Sequence, residues 1–159
     1  MGVRIDGKRF VIAFFDTRAA GVVVARSLAE PPPGDDGHPV GVLVHDDAGG
    51  PDVMAFGDDG ADDPRGIARL LGVIGSALVG GVMPARPHFF DDASELTTDD
   101  IARIGAEIEA GHAAVAVLEE RRVAERLVVR LAELGGRTEV HRLTERGLRQ
   151  AATMPPLAS

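Results

Sequence analysis

Arg9–Phe15 (RFVIAFF) runs almost without polarity between Gly7 and Asp16. A short apolar run rich in β-formers predicts a strand buried on both faces. Asp16 or Thr17 then caps a helix to about Ala29, and the three prolines and glycine of EPPPGDDG forbid its continuation. PVGVLVH (39–45) and VMAFGD (53–58) predict two strands joined as a hairpin by DDAGGPD. Beyond the acidic loop DDGADDP, Pro64 suits the first turn of a helix opening near Arg65. Thr97 with Asp100 resembles a capping box opening a helix to about Ala110, which Gly111 ends. HAAVAVLE (112–119) reads as a strand, ERRVAERLVVRLAEL (120–134) as a helix stopped by Gly135–Gly136, and RTEVHRL (137–143) as the last strand. Thr144 can cap a short terminal helix.

IARLLGVIGSALVGGVMPAR (67–86) stands apart, with no charge between Arg69 and Arg86. Ala68, Gly72, Ser76 and Gly80 recur every fourth residue and so share one helix face. The remaining surface is apolar nearly all round, so a helix over about 65–83 must be surrounded by protein or lipid. Small residues at this spacing let a second helix approach backbone to backbone. The charge-free run Leu70–Ala85 gives about 24 Å of helix at about 1.5 Å per residue, against about 30 Å for a hydrocarbon core. Gly80–Gly81 and Pro84 shorten it further. A seam between subunits is the favoured expectation, burial within the chain's own domain the second, and membrane contact the third. Glycine costs a helix about 1 kcal/mol relative to alanine, so several of them need a packing reason.

Val11–Glu30 laid over Ala114–Glu133 without a gap matches at Ala13/Ala116, Arg18/Arg121, Leu28/Leu131, Ala29/Ala132 and Glu30/Glu133. Whether by duplication or by shared grammar, the chain holds two strand–helix–strand units of equal size. Right-handed crossovers place both in one sheet with helices on one face. The expected fold is α+β, a ferredoxin-like split βαβ sheet with an inserted hairpin strand and two middle helices, one of them Gly-striped. One domain over 1–152 and a flexible tail over 153–159 complete the layout.

Composition narrows function mainly by exclusion. A net charge of −8 opposes phosphate-mediated nucleic-acid binding, and an aromatic content of 4%, all Phe, opposes base stacking. The absence of cysteine removes disulfides, thiolate nucleophiles and zinc–thiolate sites. Lys8 is the one lysine among 17 basic residues, a bias read as genomic, from a high-GC bacterial source, and not as anion recognition. MGVRIDGKRF has no apolar run before Phe10 to serve as a signal peptide, so a cytoplasmic location is expected, with membrane association as the second expectation.

Six Asp-Asp pairs stand at 35–36, 46–47, 58–59, 62–63, 91–92 and 99–100. Most fall in turns or at helix starts, where Asp bonds its own backbone. Asp58, Asp59, Asp62 and Asp63 are the best candidates for a divalent ion, though DDGADD lacks the alternating order of a calcium loop. His38, His45, His88, His112 and His141 show no zinc-ligand spacing, and His45–Asp46 and His88 with Asp91 are conceivable acid–base pairs. No nucleophile elbow or phosphate loop is present. GVIGSALVGG lacks dinucleotide-loop spacing. Arg122, Arg126 and Arg130 line one edge of a helix beside Glu119, Glu125 and Glu133, read first as a solvated face and second as a site for an acidic partner. No catalytic residue, metal site or cofactor is assigned.

AFFDTRAA, GVIGSALVGG, AGHAAVAVL and LAELGG, in that order, resemble a widespread bacterial family of small proteins of unknown function. Its members carry a mid-chain Gly-rich apolar segment and are often labelled membrane proteins. The resemblance covers most of residues 9 to 150 and implies no catalytic residues. The expected function is non-enzymatic: a structural or stress-related module that forms a homo-oligomer through Ala68, Gly72, Ser76 and Gly80. A membrane-associated protein using the same helix is one alternative. A small enzyme or ligand-binding protein of the dimeric α/β-barrel kind, with a pocket over an open sheet face, is the other.

Overall fold

The computed structural model describes residues 8–30, 38–45, 50–57, 71 and 98–143. Its elements run β1 (Lys8–Phe15), α1 (Arg18–Ala29), β2 (Val40–His45), β3 (Pro51–Phe56), α2 (Thr98–Glu109), β4 (Ala113–Glu119), α3 (Arg121–Glu133) and β5 (Arg137–Leu143). Together they form an α+β fold around one antiparallel sheet. Thr17 caps α1, its hydroxyl accepting from the Ala20 N–H at 3.1 Å. Gly111 and Gly135 follow α2 and α3 at φ +94° and +97°, where a side chain is disfavoured. β3 begins and ends two residues earlier than the apolar pattern suggests, because Pro51, which lacks an N–H, is tolerated as the first residue of an edge strand.

The strand order is β3-β2-β4-β1-β5, with each adjacent pair antiparallel. β1 and β2 are therefore parallel, flanking β4 and joined through α1. β4 and β5 are likewise parallel, flanking β1 and joined through α3. Both sheet faces are buried. On one, Val11, Ala13, Phe15, Val40, Val42, Val44, Ala113, Val115 and Val117 meet Val24, Ala25 and Leu28 of α1 and Ala124, Leu127 and Leu131 of α3.

The other face carries Phe10, Ile12, Phe14, Leu43, Ala114, Ala116 and Leu118, all buried. The two crossover helices α1 and α3 share the first face, and the inserted helix α2 covers this one, packing on β4 and β2. Ile101, Ile104 and Ile108 of α2 are buried at 0–1% exposure, and their i, i+3, i+7 spacing makes one stripe. Each contributes about 1.5–3 kcal/mol by burial. The open sheet face that a barrel-type pocket needs is thus filled with isoleucine. Leu71 is helical and fully buried, and is not among the residues gathered under α1 and α3.

The internal echo holds for the helices and breaks in the strands. Gly21, Val24 and Leu28 of α1 are buried, as are their counterparts Ala124, Leu127 and Leu131 of α3. Ala13, however, lies on the α1/α3 face, whereas its counterpart Ala116 is paired with Ile12 on the opposite face. A two-residue link joins β1 to α1 and a one-residue link joins β4 to α3. That single residue moves every strand side chain to the other face.

Candidate functional site

The polar residues of the buried second face gather between α2 and β5. Asp100, Arg103 and Glu107 share one stripe of α2, while Arg137, Glu139 and His141 alternate along β5. About 10 Å of helix thus meets about 13 Å of strand, so each α2 residue has a β5 partner. Arg103 donates to both carboxylate oxygens of Glu139 at 2.6 and 3.0 Å, and to Asp100 at 2.8 Å. Arg137 donates to both oxygens of Glu107 at 2.7 and 3.1 Å. Two-point guanidinium–carboxylate contacts fix orientation as well as distance.

The imidazoles join the same ladder. His141 is 7% exposed, with Nε2 at 2.8 Å from Glu139 and Nδ1 at 3.8 Å from Asp100. Its ring centroid lies 6.1 Å from that of Phe10, its neighbour across the β1–β5 pair. His112 Nδ1 lies 2.6 Å from Glu107, and the Arg137 guanidinium stands 5.7 Å from the Phe14 ring centre. At the far end of the sheet His38 Nδ1 lies 3.3 Å from Glu119. Three histidines read from sequence as incidental thus each meet a carboxylate.

These contacts set the charge states. Hydrogen bonds from Arg137 hold the Glu107 carboxyl down at about 2, with a smaller push from His112, against burial, which raises it. Burial pushes Glu139 upward, but hydrogen bonds from Arg103 and His141 outweigh it and leave the carboxyl below its ordinary value. Hydrogen bonds to Glu139 and then Asp100 raise Arg103 above the usual arginine range.

A carboxyl lowered by folding stabilises the fold above its ordinary value of 4.5, and that stability is lost as the pH falls toward 2. The melting temperature is therefore expected to hold from neutrality to about pH 5 and to fall below that. Glu107→Gln should flatten the fall, as thermal scans across pH would show. An unchanged acid slope would remove Glu107 from the account.

The helix-seam residues Ala68, Gly72, Ser76 and Gly80 lie outside the described residues, as do Asp58, Asp59, Asp62, Asp63, His88 and Asp91. Of the Asp pairs only Asp99–Asp100 is described, with Asp99 exposed and Asp100 bound to Arg103. Among the described residues no group of three or more His, Asp or Glu is placed to hold a metal, and no helix is long and apolar enough to cross a membrane. Arg122, Arg126 and Arg130 are exposed on α3. An open groove of about 310 Å³ beside them is lined by Arg9, Arg121, Ala124, Glu125, Val128 and Val140.

Sequence reasoning missed the ladder as a unit. Its signal is the Asp-x-x-Arg-x-x-x-Glu stripe of α2 set against Arg-x-Glu-x-His of β5, complementary only once the two are aligned. No known protein family, no curated protein and no solved structure matches the chain.

Proposed function

We propose that this protein is a non-enzymatic, self-associating module whose seam is the helix expected over residues 65–83. Leu71 carries the reading. It is helical and fully buried. At about 100° per residue, Ala68, Gly72, Ser76 and Gly80 fall about 60° to 180° around a continuous helix from it. On the helix expected over residues 65–83, Gly72, Ser76 and Gly80 would therefore fall on the side away from Leu71, the side proposed to meet a second helix. The partner is a second copy of the chain, giving a homo-oligomer. The α2–β5 ladder supports the non-enzymatic part of the reading, because its acids, arginines and imidazoles answer one another.

The connectivity supports a ferredoxin-like split βαβ core made of β5-β1-β4-β2, with β3 added at the edge.

Light scattering on size-separated protein tests the seam. Ser76→Gly should keep the wild-type oligomer mass, whereas Gly72→Leu should reduce it by blocking close approach. An unchanged mass and melting temperature in Gly72→Leu would overturn the seam. A mass that depends on detergent would point instead to the membrane-associated alternative.

A further inference from the structure

We infer that the β5 edge is a second self-association surface, on which two copies pair antiparallel about a two-fold axis at Val140. The inference rests on the self-association proposed above and specifies where a second contact forms. Both sheet edges belong to short strands, but they are guarded differently. β3 opens with Pro51, which has no N–H to offer, and continues with Asp52, two devices that discourage pairing. No described strand pairs with the far side of β5. Of the charged side chains on β5, Glu139 is held by Arg103 of α2, whereas Arg137, which also reaches Glu107, is 56% exposed and Arg142 is exposed.

Val140 adds the apolar element. It is 40% exposed and, among the strand residues whose burial is described, is the one large hydrophobic residue that is exposed. With Ala124 and Val128 of α3 it lines the open groove. Residues across a two-fold antiparallel pair stand about 4.5–5.5 Å apart at Cβ. Centred on Val140, the pairing sets Val140 against the Val140 of the second copy. It sets Glu139 against His141 and Thr138 against Arg142. Acid faces imidazole, hydroxyl faces guanidinium, and no like charges are opposed. The two grooves then merge into one apolar seam roofed by both copies of α3, and the edges become a continuous ten-stranded sheet. Self-complementarity of one patch is what an isologous contact requires.

The chain contains no cysteine, so a single introduced thiol reports one contact. Under mild oxidation Val140→Cys is expected to form disulfide-linked dimers. It should do so roughly tenfold faster, or more, than Val129→Cys, as a thiol held beside its copy has a high effective concentration. Val129 is the control because it is 58% exposed on α3. Val140→Lys should lower the oligomer mass without lowering the melting temperature. If the wild-type protein is oligomeric but Val140→Cys cross-links no faster than Val129→Cys, the β5 pairing is overturned and self-association stands. If the wild-type protein is a monomer at every concentration, both are overturned.

Discussion

Arg103→Met is expected to lower stability by about 2–3 kcal/mol at neutral pH, although Arg103 is half exposed. The guanidinium is the cation between Glu139 and Asp100, whose side chains are 26% and 21% exposed. Removing it leaves two partly buried carboxylates, with His141 between them. Breaking a fully buried pair from one side costs about 3–5 kcal/mol, and solvent reaching this one reduces the figure. For a chain of this size the loss corresponds to a fall in melting temperature of about 6–9 °C. The sign with pH follows from the carboxylates. Without Arg103, Glu139 is no longer held low, and a proton on either acid relieves the repulsion. The gap between wild type and variant should therefore narrow toward pH 4–5, an order-of-magnitude window set by ordinary carboxyl values. A loss below about 0.5 kcal/mol, the level of an ordinary surface substitution, would show that the ladder does not clamp α2 to β5.

Gly21→Val should cost about 3 kcal/mol, at the upper end of the usual range for overpacking. α1 approaches β4 so closely here that a Cβ on Gly21 would lie 2.5 Å from the Ala113 Cβ and 3.5 Å from Val115 Cγ2. The alanine carbon is fixed to its strand and cannot rotate aside. Gly21→Ala separates two effects, since leaving glycine favours a helix by about 1 kcal/mol while the clash costs more. A net loss is expected even for alanine. Ala124→Gly at the matching position of α3 should lose roughly 1 kcal/mol of helix propensity together with the burial of one core methyl group. Chemical denaturation of the three variants distinguishes these terms. A Gly21→Ala protein more stable than wild type would mean that the layers separate at little cost.

The elements were legible because apolar runs mark the strands, and caps, glycines and prolines mark where helices start and stop. β5 has the bounds expected from RTEVHRL, and α2 ends at Glu109, two residues before the Gly111 read as its stop. Two things were not legible. The side of the sheet that α2 covers depends on the connection through residues that join it to β3, and an amphipathic stripe names no partner. The ladder needs Arg103 and Glu139 in register across 36 positions of sequence, with no local pattern joining them. The gapless echo misled at Ala13 and Ala116 because the shorter link before α3 removes one residue, which an identity count does not register.

Self-association of the chain shows first in its mass in solution. One copy weighs 16.6 kDa. Light scattering and sedimentation over a dilution series, without detergent, should give at least twice that mass, falling only at the lowest concentrations. A constant 16.6 kDa at every concentration would contradict the account.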